Sequence, residues 1–169
     1  TSELINQNSD SLHWHTDSLD TRVAVPRQDS LEAETKPIPT FRTWKNNAFG
    51  VGEELLFDVL YGLIKAGSAT MSIPDTVWRY GRPCYRILTT ARSASFFDVF
   101  FKVRDKVQTI IDMQGIFPWE FEKHIREGGY ESDRYVTYDQ INQKVYYKKD
   151  TLKVPPYIQG VLSSFYYVR

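Results

Sequence analysis

The stretch that most constrains the fold is residues 52–73, which has the pattern of two β-strands joined by a tight turn. Apolar and polar residues alternate through both halves, and a period of two with one apolar face is typical of a half-buried strand. Gly62 and Leu63 occupy the position of the turn. We expect an antiparallel hairpin here, with later strands extending its sheet. Its apolar face consists of Leu55, Phe57, Val59 and Tyr61 in the first strand and Gly67, Ala69, Met71 and Ile73 in the second.

Length and composition restrict the class of protein. The chain of 169 residues suffices for one domain with a tail, and its formal net charge of zero gives no reason to expect a nucleic-acid partner. No apolar run reaches the length of about 18 residues that a transmembrane helix needs, so no transmembrane segment is predicted. Cys84 is the only cysteine, which excludes an internal disulfide. With no histidine near it in sequence, Cys84 is more typical of a small core residue than of a nucleophile.

Residues 1–40 differ in composition from the rest of the chain. They are rich in Ser, Thr, Asp and Gln, carry more acidic than basic side chains, and end in a Lys-Pro-Ile-Pro segment. We predict a flexible acidic tail over 1–40 and an antiparallel β domain over 41–169. His13 and His15 would share a strand face, but without a third ligand they predict no metal site. The alternative is an extended arm packed on the domain or on a partner through Leu12, Trp14, Leu19, Val23 and Val25.

Further strands follow the hairpin, after a turn predicted at Pro74 and Asp75. Residues 95–104 are the most apolar of them, with Phe and Val on both faces, so we expect this strand to be covered on both sides. The predicted fold is mainly β: a curved antiparallel sheet, an open half-barrel, of about 7–8 strands. The later predicted strands are residues 84–92, 95–104, 106–112, 119–127, 130–139 and 144–148, and residues 77–80 lie between two predicted breaks.

The period changes from strand to helix at the end of the chain. Residues 158–168 follow two prolines, which suit the first turn of a helix. We predict an amphipathic helix that packs on the sheet opposite Phe57, Val99 and Phe101. Its apolar stripe consists of Ile158, Val161, Leu162, Phe165 and Tyr166.

Signatures of catalysis and cofactor binding are missing from the sequence. It contains no G-x-S-x-G, no S-x-x-K, no glycine-rich phosphate loop and no H-E-x-x-H. We therefore predict no enzyme, no catalytic residues, no cofactor and no bound metal. Glu120, Glu122 and His124 could form an acid–base device on the outward row of one strand. A solvated strand face is the favoured interpretation of this row, because alternating charges are ordinary there.

The apolar stripes of the sheet are core by default, yet a concave sheet lined with Phe, Met, Trp and Ile can also hold an apolar ligand. The sequence does not separate these two roles. The candidate ligand-binding residues on the concave face are Leu55, Phe57, Val59, Met71, Phe97, Val99, Phe101, Ile111, Trp119 and Phe121.

Several short motifs, in this order, resemble a known family. The segments are 52–55, 61–62 and 66–67, followed by 85–95, 101–105, 111–112, 126–130 and 163–169. Together they resemble the bacterial exported family of unknown function DUF3108, over residues 49–169. The family has no established activity or catalytic residues, so the resemblance implies none. It implies a fold similar to the lipoprotein carriers of the periplasm, in which a curved antiparallel sheet forms an open half-barrel around helices.

The resemblance also implies a location and a role. We expect a protein of the periplasm or outer membrane of a Gram-negative bacterium, whose signal peptide is not in the given chain. The family continues with more strands after the segment matching 163–169, so we expect the domain to be incomplete at its C-terminus. The expected function is a non-enzymatic envelope binding module for a lipid, an acyl chain or a lipoprotein. The alternative is an interaction or scaffold subunit of a larger envelope assembly, with an envelope protein as its partner.

Overall fold

The computed structural model describes residues 39–169. Nearly all of the predicted tail, including His13 and His15, therefore lies outside the described residues. The elements are β1 (Glu54–Tyr61), β2 (Ile64–Arg79), β3 (Arg82–Ser93), α1 (Ser95–Asp98), β4 (Arg104–Asp112), β5 (Pro118–Glu127), β6 (Tyr130–Asp139), β7 (Lys144–Tyr147), β8 (Asp150–Lys153) and α2 (Val161–Tyr167).

The eight strands form one open antiparallel sheet in sequence order, in which each strand pairs with the next. Strands β1 and β8 are its two edges. This confirms the predicted fold class, a mainly β chain with an open antiparallel sheet and a C-terminal helix. Strand β8 is an addition, because its short polar sequence gave no apolar alternation from which to predict it.

The predicted hairpin of β1 and β2 is confirmed, with its turn at Gly62 and Leu63. Leu55 pairs with Met71, and Phe57 pairs with Ala69. The turn predicted at Pro74 is wrong, because β2 continues through it to Arg79. The register shifts between Ser72 and Asp75, and such a β-bulge accommodates an extra residue and a proline without ending the strand.

The apolar strand predicted over residues 95–104 is wrong. Strand β3 ends at Ser93, helix α1 follows, and β4 begins only at Arg104. Because Ser93 and Arg104 lie at the same end of neighbouring strands, the residues between them form a connection. The side-chain hydroxyl of Ser93 donates to the Asp98 carboxylate, which also pairs with the Arg104 guanidinium. These polar contacts fix the connection, and most of its apolar side chains are exposed rather than covered on both sides.

Two apolar clusters cover the two faces of the sheet near one end. On the face that carries α2, two helix residues pack on residues from β2, β3, β4 and the β4–β5 loop: Ile73, Tyr85, Ile87, Ile111, Ile116, Leu162 and Tyr166. On the other face, Phe41 from the segment before β1 covers a second cluster, which contains Phe41, Cys84, Ile110, Phe117 and Trp119. Cys84 is thus a buried core residue, as predicted.

A buried ion pair closes this end of the molecule. The Asp112 side chain is completely buried and accepts hydrogen bonds from the backbone N–H of Gln114 at 3.0 Å and of Gly115 at 2.6 Å. The Nε and Nη2 groups of Arg82 donate hydrogen bonds to the two carboxylate oxygens of Asp112. The buried carboxylate is therefore satisfied by the Arg82 guanidinium and by two backbone N–H groups, as a buried charge requires.

Candidate ligand-binding groove

A groove of about 340 Å³ lies on the face of the sheet that carries α2. We call it the sheet groove. Its floor comes from alternate residues of β3, β4 and β5, and the start of α2 closes one side. Its lining consists of Thr89, Ala91, Asp105, Val107, Phe121, Lys123, Ile125, Glu127, Val161 and Leu162.

The register of the strands explains this set of residues. Thr89 pairs with Val107, and Val107 pairs with Lys123, so the three side chains project from the same face. The next row contains Ala91 and Asp105. Because Ala91 is small, the sheet surface is depressed there. Val107, Phe121 and Ile125 supply the apolar walls.

Two carboxyl groups of the sheet groove, those of Asp105 and Glu127, lie close together at one end of it. Asp105 accepts a hydrogen bond from the backbone N–H of Arg126 at 2.9 Å. The pKa of Glu127 is raised above its ordinary value, chiefly because its carboxyl shares a hydrogen bond with Asp105. Lys123 opposes this shift by its positive charge. In the centre of the groove, the Thr89 hydroxyl has no hydrogen-bond partner among the described residues.

The predicted ligand-binding residues fall into three groups. Phe121 lines the sheet groove. Leu55, Phe57, Val59 and Met71 continue the same face toward the β1 edge. Leu55 and Met71 lie on the row of Thr89, Phe57 lies on the row of Ala91, and Val59 lies on the next row. Phe57 and Val59 are exposed there, at 45% and 48%.

The remaining predicted residues lie elsewhere. Ile111 is fully buried beneath α2, and Trp119 is buried in the cluster on the opposite face. A bulge between Ile110 and Ile111 shifts the register of β5 at that point, so Trp119 does not follow the alternation that the sequence indicates. Trp119 was therefore wrongly placed on the concave face, whereas Ile111 lies on the face of the sheet groove but is covered by α2. Placing Phe97, Val99 and Phe101 there was also wrong, because they belong to α1 and the loop after it.

Helix α2 has a narrower buried stripe than predicted. It spans Val161–Tyr167 instead of residues 158–168, so Ile158 precedes it. Leu162 and Tyr166 are buried against β2, β3 and β4. Val161 is 79% exposed at the margin of the groove, and Phe165 is 39% exposed. The helix thus covers one end of the face and leaves the sheet groove open beside it, and its contacts are not with Phe57, Val99 or Phe101.

Sequence reasoning missed most of the groove lining. Val107 and Ile125 were visible in the alternating patterns of their strands, which is the signal that located Phe121. Thr89, Ala91, Asp105, Lys123 and Glu127 carry no such signal, because a small or charged residue is typical of a solvated position.

The outward row of β5 forms a network of charges on the face opposite the sheet groove. The two ring nitrogens of His124 lie 2.6 Å from Glu122 Oε1 and 2.9 Å from Asp133 Oδ1. These contacts raise the pKa of His124, the Glu122 hydrogen bond contributing most. Hydrogen bonds from Arg126 and then His124 lower the pKa of Asp133 to about 2. Glu120 is held separately, by Arg79 at 2.5 and 3.0 Å.

Each polar side chain of this row therefore already has a charged partner on the strand surface. Among residues 39–169, no group of three His, Cys, Asp or Glu residues is arranged to hold a metal ion. No described helix is long and apolar enough to cross a membrane.

The fold and the groove define a class: an open antiparallel β-meander, capped by one short helix, with a partly apolar groove on the capped face. The chain belongs to the family described as "Protein of unknown function (DUF3108)", which it matches over residues 56–169. No curated protein and no solved structure matches the chain.

Proposed function

We propose that the protein is a non-enzymatic binding module of the cell envelope that holds an acyl chain or a similar apolar ligand in the sheet groove. The observation that carries this proposal is the groove itself, about 340 Å³ in volume, with apolar walls and a few polar groups. Small-molecule sites commonly have this volume and this division of apolar and polar lining.

The arrangement of side chains supports an amphiphilic ligand. An apolar chain would contact Val107, Phe121 and Ile125 and could continue along the same face toward the exposed side chains of Phe57 and Val59. Its polar head would lie near Lys123, whose ammonium group donates hydrogen bonds to carboxylate or phosphate oxygens. Asp105 and Glu127 could accept hydrogen bonds from donors on the same head group.

The location is part of the proposal. Residues 52–67 and the later motifs resemble exported bacterial proteins, which supports the periplasm or the outer membrane as the site of action. Fractionation of the native host, with antibody detection, tests it; recovery in the cytosolic fraction alone would contradict it.

Extraction of bound lipid tests the binding function. The full chain is purified without detergent and is examined by native mass spectrometry and by solvent extraction. We expect a mass increment of one amphiphile per chain, which disappears on extraction. Protein that is consistently empty, and that takes up no added fatty acid, would contradict the proposal.

A second candidate function is an interaction subunit of a larger envelope assembly. It is favoured by the β1 edge, where Leu56 and Leu60 are exposed on one face and Phe57 and Val59 on the other. An edge strand with free backbone groups and apolar side chains on both faces is suited to pairing with another strand. Size-exclusion chromatography with light scattering tests it; a monomer that captures no envelope protein would count against it.

A further inference from the structure

The end of the sheet farthest from the Arg82–Asp112 pair carries an exposed apolar surface. It is formed by the tip of the β1–β2 hairpin and by the connection from β3 to β4. Leu63 is fully exposed, Val99 is 82% exposed and Phe100 is 75% exposed. We call this surface the apolar end; its members are Leu60, Tyr61, Leu63, Ile64, Phe96, Val99 and Phe100.

A backbone hydrogen bond joins the bases of the two loops. The N–H of Ala94 donates to the carbonyl of Ala66 at 2.8 Å, directly after the last pair of β2 and β3. Within the second loop, the centroid of the Phe96 ring lies 5.4 Å from that of the Phe97 ring and 5.9 Å from that of the Phe100 ring. The phenylalanine rings of this loop therefore pack on one another, while Phe96 and Phe100 remain exposed.

An exposed basic side chain, Lys102, lies beside the apolar end. Lys65 is paired with Asp58 at 2.5 Å, and Arg104 is paired with Asp98. Lys102 is exposed directly after the Phe100 loop and forms no ion pair with another described residue. The result is a set of protruding apolar side chains with a cation next to them.

We propose that the apolar end docks on the surface of a bilayer that contains anionic lipid. Protruding loop tips suit insertion into the head-group region, whereas an amphipathic helix would need a groove. Exposed apolar patches rimmed by polar residues mark membrane or protein contacts, and a basic residue adds attraction to anionic lipid. Ala91 of the sheet groove lies two residues before the end of β3, so the groove begins close to this surface. The proposal does not require that the groove holds a ligand.

Vesicle co-sedimentation of the full chain tests the proposal, with neutral phosphatidylcholine vesicles and with vesicles that also contain phosphatidylglycerol. The variant Leu63→Asp with Phe100→Asp places charges at the two loop tips. A matched control, Trp78→Asp with Leu152→Asp, changes two exposed apolar residues away from this end. All four positions are exposed, and circular dichroism checks that each variant folds.

We expect the unchanged chain and the control to bind the anionic vesicles. The affinity of the loop-tip variant for these vesicles should be lower by about tenfold or more. Lys102→Glu should remove most of the preference for anionic vesicles. Failure of the unchanged chain to bind either vesicle would overturn the proposal, as would a loop-tip variant that binds as well as the control. If the same variant instead abolishes self-association of a chain that binds no vesicles, the surface is an interface between two copies.

Discussion

Helix α2 should stabilise the domain chiefly through two of its side chains, Leu162 and Tyr166. Tyr166 is 1% exposed and Leu162 is 9% exposed, whereas Phe165 is 39% and Val161 is 79% exposed. The Tyr166 ring packs edge-on against Phe49, with the ring centroids 4.8 Å apart. Substitutions to alanine along the helix should therefore produce graded losses of stability.

The burial of each side chain sets the expected magnitude. Tyr166→Ala should lower the free energy of unfolding by about 3–5 kcal/mol, and Leu162→Ala by about 2–5 kcal/mol, because each leaves a cavity in the core. Phe165→Ala should cost only about 1–2 kcal/mol, since roughly three fifths of a full burial value of ~1.5–3 kcal/mol is lost. Val161→Ala should change stability by less than about 0.5 kcal/mol.

Urea denaturation followed by circular dichroism measures these differences, with the slope of the transition checked for constancy. Val161→Ala is the matched control, because it lies on the same helix and is exposed. A small effect of Tyr166→Ala, comparable to that of Val161→Ala, would show that α2 is not docked as described. A mobile helix would give that result together with increased uptake of apolar dyes.

Three further predictions concern polar and titratable groups. Because the folded pKa of His124 is raised, its stabilisation is present below its ordinary pKa of about 6.5 and is lost as pH rises past the folded value. His124→Gln should therefore lower the urea midpoint at pH ~5.5 and leave it unchanged at pH ~9; equal shifts at both would refute this. Asp112→Ala should cost about 3–5 kcal/mol, because it leaves Arg82 without its partner; a loss below about 1 kcal/mol in urea denaturation would contradict the buried pair. Burial raises the pKa of the Cys84 thiol to about 12, so a thiol reagent should label it only in denaturant, and fast labelling of the native chain would disprove its burial.

The sequence allowed the sheet to be predicted wherever one face is buried and the other is solvated. The hairpin of β1 and β2, and the alternation of β5, follow directly from that pattern. Residues 95–104 show the limit of this reasoning, because Phe and Val also alternate in a loop. Whether a segment becomes a strand depends on the partners that its neighbours find. Here β3 and β4 pair directly with each other, so residues 95–104 between them form a connection.

The candidate groove was predictable only in part for the same reason. Phe121 followed from alternation within one strand, whereas Trp119 was misplaced because a bulge changes the register beside it. Ala91 and Thr89 line the groove because of what they face across β4, and this information is not local in sequence. Phe96, Val99 and Phe100 were predicted to lie in a covered strand and are exposed, since hydrophobic composition by itself does not distinguish a buried side chain from a docking surface.

The binding proposal is tested most sharply by titrating the full chain with a fluorescent fatty acid. Ala91→Phe fills the floor of the sheet groove, and Lys106→Phe is the control, since it adds the same ring to an exposed position on the opposite face. We expect saturable uptake of one fatty acid per chain. The affinity for the fatty acid should fall by about tenfold or more in Ala91→Phe and should be unchanged in Lys106→Phe. No saturable uptake by the unchanged chain, or equal uptake by all three proteins, would contradict a ligand site in this groove.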